Sequence, residues 1–282
     1  MSNEFSIMLS LGRKAFSIAR GGDFRLLSSS GLENADYSVA LSEGTSLDGG
    51  IINGARIKSR VIKLELETRD NVCDCRARLI SALSPKKSGE LLVSRRDVVR
   101  RIAVVLRGAR FEQQNIYMPV KIKLELLCPD PFFTDPTETV VSFRKTVPLL
   151  SFPFNSIKGC GISAGIWRIS DTAVINNTGD AEIGIICTIT SSGGTVVNPS
   201  VLLDGVGYVK IYTQLSDGDK ASVNTRRGSK AVTVNGEPRF IFDRRSIFFQ
   251  LPPGENTVTI SADAGLSYLS ASFSYALKYN GI

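Results

Sequence analysis

Between Val120 and Phe133 the chain reads V-K-I-K-L-E-L-L-C-P-D-P-F-F, and its first residues alternate apolar and charged with a period of two. That period describes a half-buried β-strand: Val120, Ile122, Leu124 and Leu126 face a core, while Lys121, Lys123 and Glu125 face water. The pattern stops after Leu127, where Pro129 and Pro131 fix φ, remove two backbone donors and hold Cys128 and Asp130 extended. An interior strand does not run through such a segment. Cys128, Pro129, Asp130, Pro131, Phe132 and Phe133 therefore mark a domain seam, with the paired aromatics as an anchor at the exit.

A second strand of the same kind spans Arg56 to Glu67, with Ile62, Leu64 and Leu66 inward and Lys63, Glu65 and Glu67 outward. The outer faces of the two strands carry opposite charges suited to cross-strand pairs. Between them, Asn71 to Ser84 predicts a short helix with Val72, Leu79, Ile80 and Leu83 on one face, Asp70 or Asn71 as cap and Pro85 as stop. Leu91–Val93 and Ile102–Leu106 add strands, so residues 1–138 read as a mostly β domain with one helix laid across it.

In residues 139–165, Pro148, Pro153, Gly159, Gly161 and Gly165 interrupt every apolar run, which predicts a linker. From residue 166 to 282 short strands alternate with turn residues, the signature of a sandwich. Ala173–Asn176, Ile183–Thr190, Val206–Thr213, Ala221–Thr225, Lys230–Val234, Phe240–Phe242 and Ile247–Leu251 are the strands expected. A last one runs from Leu269 to Tyr279, with Leu269, Ala271, Phe273, Tyr275, Leu277 and Tyr279 on one face. The fold class is mainly β, in two domains.

Hydrophobic content of 43% and charged content of 22% are ordinary for a soluble globular protein. Phe5–Leu11 follows Glu4 and precedes Arg13-Lys14, the wrong charge order for a secretory signal, and the uncharged run Ile183–Leu203 is too polar for lipid. The expected product is soluble and made in the cytoplasm. Five cysteines in 282 residues are read as reduced thiols rather than staples. Cys73 and Cys75 form C-x-C, but the chain has no histidine and no second pair, so no metal and no cofactor is expected. The missing histidine also removes Ser-His-Asp and Cys-His chemistry and any imidazole base. Asp130 and Asp135 flank the aromatics in the manner of a glycosidase pair, yet an aspartate in a proline-bounded turn is first a local backbone acceptor. The chain is read as no enzyme.

The net charge of +7 is concentrated in Lys86 to Arg110, which carries Lys86, Lys87, Arg95, Arg96, Arg100, Arg101, Arg107 and Arg110 against Glu90 and Asp97. Only Phe111 stands near as a stacking aromatic, so a nucleic-acid surface is disfavoured and Arg95, Arg96, Arg100 and Arg101 are read as an intersubunit interface, with a plain solvated face as the alternative. Gly159–Gly165, G-C-G-I-S-A-G, lacks the βαβ frame of a dinucleotide site. Phe152, Phe154 and Trp167 are read as ties between linker and cores rather than a sugar platform.

Three regions together resemble the siphophage distal tail protein family, Dit. The first is the Lys/Glu-alternating strand running into C-P-D-P-F-F. The second is the order of strand, short helix, P-K-K-S-G turn at Pro85–Gly89, L-L-V strand and basic strand. The third is the series N-N-T-G-D at Asn176–Asp180, N-P at Asn198-Pro199, L-S-D-G-D at Leu215–Asp219, V-N-G at Val234–Gly236 and L-P-P-G-E-N at Leu251–Asn256, closing on an aromatic strand into Tyr279-Asn280-Gly281. The resemblance implies an N-terminal ring-forming belt domain and a C-terminal galectin-like sandwich, with no carbohydrate-binding arm grafted between Asp219 and Asn235. It implies a structural protein of the virion tail tip: a homo-oligomer, a hexamer, that joins the tail tube to tail-tip and receptor-binding proteins and lets DNA pass, with no membrane partner. A carbohydrate-binding adhesin module is the alternative.

Overall fold

The computed structural model describes residues 5–43, 48–68, 72–83, 88–112, 119–148, 165–169 and 171–282. Contacts gather them into two compact units, Met1–Pro136 with Lys278–Ile282, and Thr137–Leu277. Asp70, Asn71, Pro85 to Lys87, Phe152, Phe154, Cys160 and most of the Gly159–Gly165 segment, all weighed above, lie outside the described residues.

In the first unit, β1 (Phe5–Leu11), β2 (Lys14–Ile18), β3 (Phe24–Ser30), β4 (Tyr37–Glu43), β5 (Gly50–Ile57), β6 (Arg60–Thr68), α1 (Val72–Ala82), β7 (Ser88–Arg95), β8 (Val98–Glu112), β9 (Lys121–Cys128) and β10 (Phe133–Thr134) follow in order. The sheet runs β8-β7-β1-β2-β3-β6-β9, and β9 pairs back onto β8, so seven strands close into a barrel. Closure removes most free edges. Every neighbour is antiparallel except β2 and β3, which meet through Ile18 and Phe24 alone. The two alternating strands of the sequence lie side by side, Lys63 opposite Glu125 and Glu65 opposite Lys123, with Ile62, Leu64, Leu66, Ile122, Leu124 and Leu126 buried. Their period of two is what sends these residues inward and the charges outward. In α1, Leu79 and Ala82 enter the core, whereas Ile80, expected on that face, is exposed.

In the second unit, β11 (Thr139–Ser142), β12 (Arg144–Pro148) and β13 (Gly165–Ile169) lie within the stretch read as a linker or at its border. Then come β14 (Thr172–Asn177), β15 (Ile186–Ser191), β16 (Val196–Val197), β17 (Ser200–Leu203), β18 (Gly207–Lys210), β19 (Gln214–Leu215), β20 (Lys220–Asn224), β21 (Ala231–Val234), β22 (Glu237–Pro238), β23 (Gly254–Ser261) and β24 (Leu269–Tyr275). One antiparallel sheet is ordered β11-β24-β15-β20-β21-β22 and the other β14-β23-β17-β18. Cys187, Ile189, Val223 and Phe273 from the first share one core with Val201, Val209, Val258 and Ile260 from the second, which makes a sandwich. Phe240–Phe242 and Ile247–Leu251, expected as strands, form the single bridges Ile211–Phe242 and Ile183–Leu251 and isolated main-chain bonds, Tyr212 N–H to the Ile241 carbonyl and Ile247 N–H to that of Tyr208, rather than ladders.

The turn motifs are staples. Asn177 is buried and donates to the carbonyls of Ala181 and Leu251, both at 3.0 Å, while its Oδ1 accepts the Gly179 N–H. Asp219 accepts the Ser216 N–H at 2.8 Å and the Asn235 amide at 2.9 Å, joining the L-S-D-G-D turn to the N-G turn. Asn256 closes P-P-G-E through the carbonyls of Pro252 and Gly254.

The long alternation from Leu269 to Tyr279 is divided. Its first part is β24, and after Leu277 the chain returns to the first unit as β25 (Lys278–Tyr279), paired with β10.

Candidate assembly surface

Arg60 has the same parity in β6 as Ile62 and Leu64, so its side chain is driven inward; it is 1% exposed. A buried guanidinium needs acceptors for its donors. Nε donates to the Pro131 carbonyl at 2.8 Å, Nη1 to those of Gly31 at 2.9 Å and Leu32 at 3.1 Å, and Nη2 to that of Asn280. Burial lowers its pKa, and Cys128 and Tyr37 oppose that shift. This residue gathers the seam, the loop after β3 and the chain's return strand, and the sequence reading passed over it although its parity signalled an inward charge.

The seam residues are structural parts of the same cluster. Cys128 is buried in the barrel core, and desolvation pushes its thiol up to about 12 against a smaller opposite pull from Arg60. Asp130 Oδ1 accepts the Phe132 N–H at 3.3 Å and Oδ2 the Lys278 ammonium at 2.7 Å. Asp135 accepts the Tyr279 hydroxyl at 3.3 Å. Both carboxylates thus hold main-chain turns or the return strand. Phe133 is fully buried opposite Tyr279, and Lys278 lies 5.4 Å over the half-buried ring of Phe132. Pro129 is exposed at the turn itself.

The four arginines of the basic segment divide. Arg100 stacks 3.6 Å from the centre of the Tyr279 ring and donates to the Gly281 carbonyl. Arg101 lies 3.6 Å from Glu90. Arg95 and Arg96 are exposed at the β7–β8 turn, where Arg96 adopts φ 55 and Arg95 reaches the main-chain oxygen of Ile282 at 3.5 Å. Beside this turn, a groove of about 850 Å³ is lined by Phe5, Leu26, Leu27, Ser29, Arg95 and Arg96 among others.

Sequence reasoning also missed β4 and β5, which pair only with each other in the sheets described. Tyr37, Val39 and Leu41 alternate along β4, and the register puts Ile57, Ala55 and Ile52 opposite them. One face of this ribbon is therefore apolar, and nothing covers it among the described residues: Ile52 is 65% exposed, and Tyr37, Val39 and Leu41 are each more than half exposed. The alternation of Tyr37, Val39 and Leu41 was the available signal.

Among the described residues no group of three or more His, Cys, Asp or Glu is placed to hold a metal ion, and no helix is long and apolar enough to cross a membrane.

Residues 178–279 match the family described as the siphovirus-type tail component, C-terminal domain. That segment is similar to a siphovirus tail-component domain. The match spans the stapled turns from Asn177 to Asn256 almost entirely, so the motif series and the family match fall on the same part of the chain. The fold as a whole is similar to that of the Dit protein of phage SPP1, described as a paradigm of the hub adsorption apparatus in phages infecting Gram-positive hosts. The TM-score is 0.69 at 16% identity, covering 97% of this chain and 98% of that one. It is also similar to a chain of the phage P2 baseplate in its activated conformation with Ca, with a TM-score of 0.54 at 12% identity and 99% of each chain covered. No curated protein matches. The matched segment thus sits in a chain whose fold, barrel unit and sandwich unit included, is similar to that of a distal tail protein.

Proposed function

We propose that this chain is a structural distal tail protein of a phage or prophage whose barrel unit assembles into a ring, a hexamer, between the tail tube and the tail-tip and receptor-binding proteins. The observation that carries the reading is the likeness to the SPP1 Dit fold over nearly the full length of both chains, with a tail-component domain at the C-terminal side. The division at the seam into a ring-forming domain, a linker and an outward sandwich belongs to the same proposal.

A head-to-tail interface closes into a ring when the rotation per subunit divides a full turn, and leaves an opening on the axis. Through it DNA passes. A ring that lets a genome slide should not grip phosphates, because several simultaneous contacts raise affinity by orders of magnitude. Arg100 and Arg101 pack within their own unit, and Arg95 and Arg96, exposed at the β7–β8 turn, are the cations we assign to the intersubunit face. In the sandwich unit Phe240 is 94% exposed and flanked by the exposed Arg239, a pairing common at protein contact sites and suited to docking tail-tip partners. Catalysis is no part of this function.

Immunogold labelling of particles that carry the gene tests the reading. Label at the distal end of the tail is expected; particles without label, or label along the whole tube, would contradict it.

A further inference from the structure

Asparagine followed by glycine is chemically labile in water, because glycine has no Cβ to shield its main-chain nitrogen from the carbonyl carbon of the asparagine side chain. Three such pairs stand in the chain, Asn53-Gly54, Asn235-Gly236 and Asn280-Gly281. Reaction needs two freedoms. The side chain must swing toward the next nitrogen, and the peptide plane between the two residues must turn to meet it. The fold withholds these freedoms unequally.

Asn235 is fixed by its side chain. Its Oδ1 accepts the Lys220 N–H at 2.9 Å and its Nδ2 donates to Asp219 at 2.9 Å, so both bonds must break before the side chain can swing. Asn280 is fixed by its main chain. The carbonyl of the Asn280–Gly281 peptide accepts from the buried Arg60, the next carbonyl accepts from Arg100, and Gly281 lies against the Glu33 carbonyl with no room for a Cβ. Asn53 is held least. It is the extra residue of a bulge: Ala40 stands opposite Gly54 and Leu41 opposite Ile52, which leaves Asn53 with no opposite residue in the ladder. Asn53 is exposed, and its Nδ2 donates at 2.6 Å to the hydroxyl of Ser42, itself exposed. A Cβ built at Gly54 would meet nothing within 4 Å, so that side of the main chain is open.

We propose that Asn53 is a self-modification site, which the fold leaves reactive while it protects the other two pairs. The Gly54 nitrogen gives its proton to hydroxide and attacks Cγ of Asn53. The new N–C bond closes a five-membered succinimide, and the side-chain nitrogen leaves as ammonia with a proton taken from water, which restores the hydroxide. Water then opens the ring at either carbonyl, giving aspartate or its isoaspartyl form. The isoaspartyl link adds one atom to the main chain, and the bulge absorbs it because this residue already stands outside the ladder. The product keeps the fold and carries one more negative charge on the ribbon.

Hydroxylamine, in place of water, traps the succinimide by cutting the chain after the asparagine. The native full-length chain in mildly alkaline hydroxylamine should give Met1–Asn53 and Gly54–Ile282 first. Cuts after Asn235 and Asn280 should be at least about fivefold slower, the factor for one further hydrogen bond that must break. In denaturant the three rates should converge. Without hydroxylamine, the ageing chain should move by one charge in ion exchange at unchanged circular dichroism. Gly54→Ala, which the open space admits, should suppress both the cut after residue 53 and the charge shift. A native chain cut first after Asn235 or Asn280, cut equally at all three, or left whole after Asn53 overturns the proposal. So does a ranking that persists in denaturant, since local sequence and not the fold would then set it.

Discussion

The guanidinium of Arg60 lies 5.0 Å over the ring of Phe133 while its Nε donates to the carbonyl of Pro131, two residues earlier in the chain. The cation therefore reads the seam twice, by its face and by its edge. Replacing it with Met keeps the apolar stem but leaves the carbonyls of Gly31, Leu32, Pro131 and Asn280 without that partner. Since a buried polar group left unpaired costs about 1–3 kcal/mol, Arg60→Met should destabilise the barrel unit by about 3 kcal/mol in urea unfolding. Arg60→Lys should recover less than half of this, because an ammonium lacks the planar fork.

The return strand is a second tie on the same cluster. Tyr279 is clasped between Arg100 and the β10 ladder, and Gly281 passes so close to Glu33 that a Cβ there would overlap its carbonyl oxygen. Tyr279→Ala should cost about 2 kcal/mol, mostly as lost ring burial and cation–π contact. Gly281→Val should lower the melting temperature as well, since backbone must move to admit the side chain. Lys278→Ala removes a partly exposed ion pair with Asp130 and a long contact with the Phe132 ring, and should cost about 1 kcal/mol or less. Thermal melts of the three variants should fall in that contrast, with Lys278→Ala closest to the parent.

Acid should act on the sandwich through three aspartates. Hydrogen bonds hold the carboxyls of Asp219 (from Asn235 and Ser216), Asp243 (from Tyr208 and Arg245) and Asp263 (from Lys210 and Asn198) below the usual range. As pH falls, the unfolded chain takes up these protons before the folded chain does. The stability they supply is thus present above about pH 4 and is lost as pH falls through the lowered folded values. Denaturant titrations between pH 6 and pH 2 should show this loss, and Asp219→Asn should flatten part of it.

Cys128 and Cys187 offer a probe of the two cores. Burial raises both thiols, Cys128 to about 12 and Cys187 further, so neither forms thiolate near neutral pH in the folded chain. Both should resist iodoacetamide at pH 8 until denaturant opens their unit. Mass mapping of the labelled peptides reads the outcome; rapid labelling of native Cys128 would contradict the closed barrel.

Much of this architecture was legible because a period of two is written into single strands. Lys121–Cys128 and Arg60–Thr68 pair as neighbours with the faces their alternation assigns. Features that depend on distant partners were not legible. Tyr279 continues the alternation of β24 locally, yet its ring belongs with Arg100 and Phe133, which no local period reveals. Phe240–Phe242 and Ile247–Leu251 have strand composition but only bridge-like pairing, and Gly254–Ser261 was hidden behind the turn of Pro252 and Pro253. The ribbon was passed over although Tyr37, Val39 and Leu41 alternate, and its apolar face is no part of the buried core of its own unit among the described residues. The candidate site shows the same limit, since the basic segment was visible as charge while the placing of Arg100 against Tyr279, Arg101 beside Glu90, and Arg95 and Arg96 at the exposed turn was not.

The central claim is that this chain holds other proteins around an axis. Light scattering of the purified full-length chain, read beside negative-stain images of the same sample, tests it most directly. We expect six times the monomer mass and six-fold rings with a central opening, the hexamer that the resemblance to distal tail proteins implies. A single globule of monomer mass at every concentration up to about the millimolar range in which weak contacts associate would contradict it.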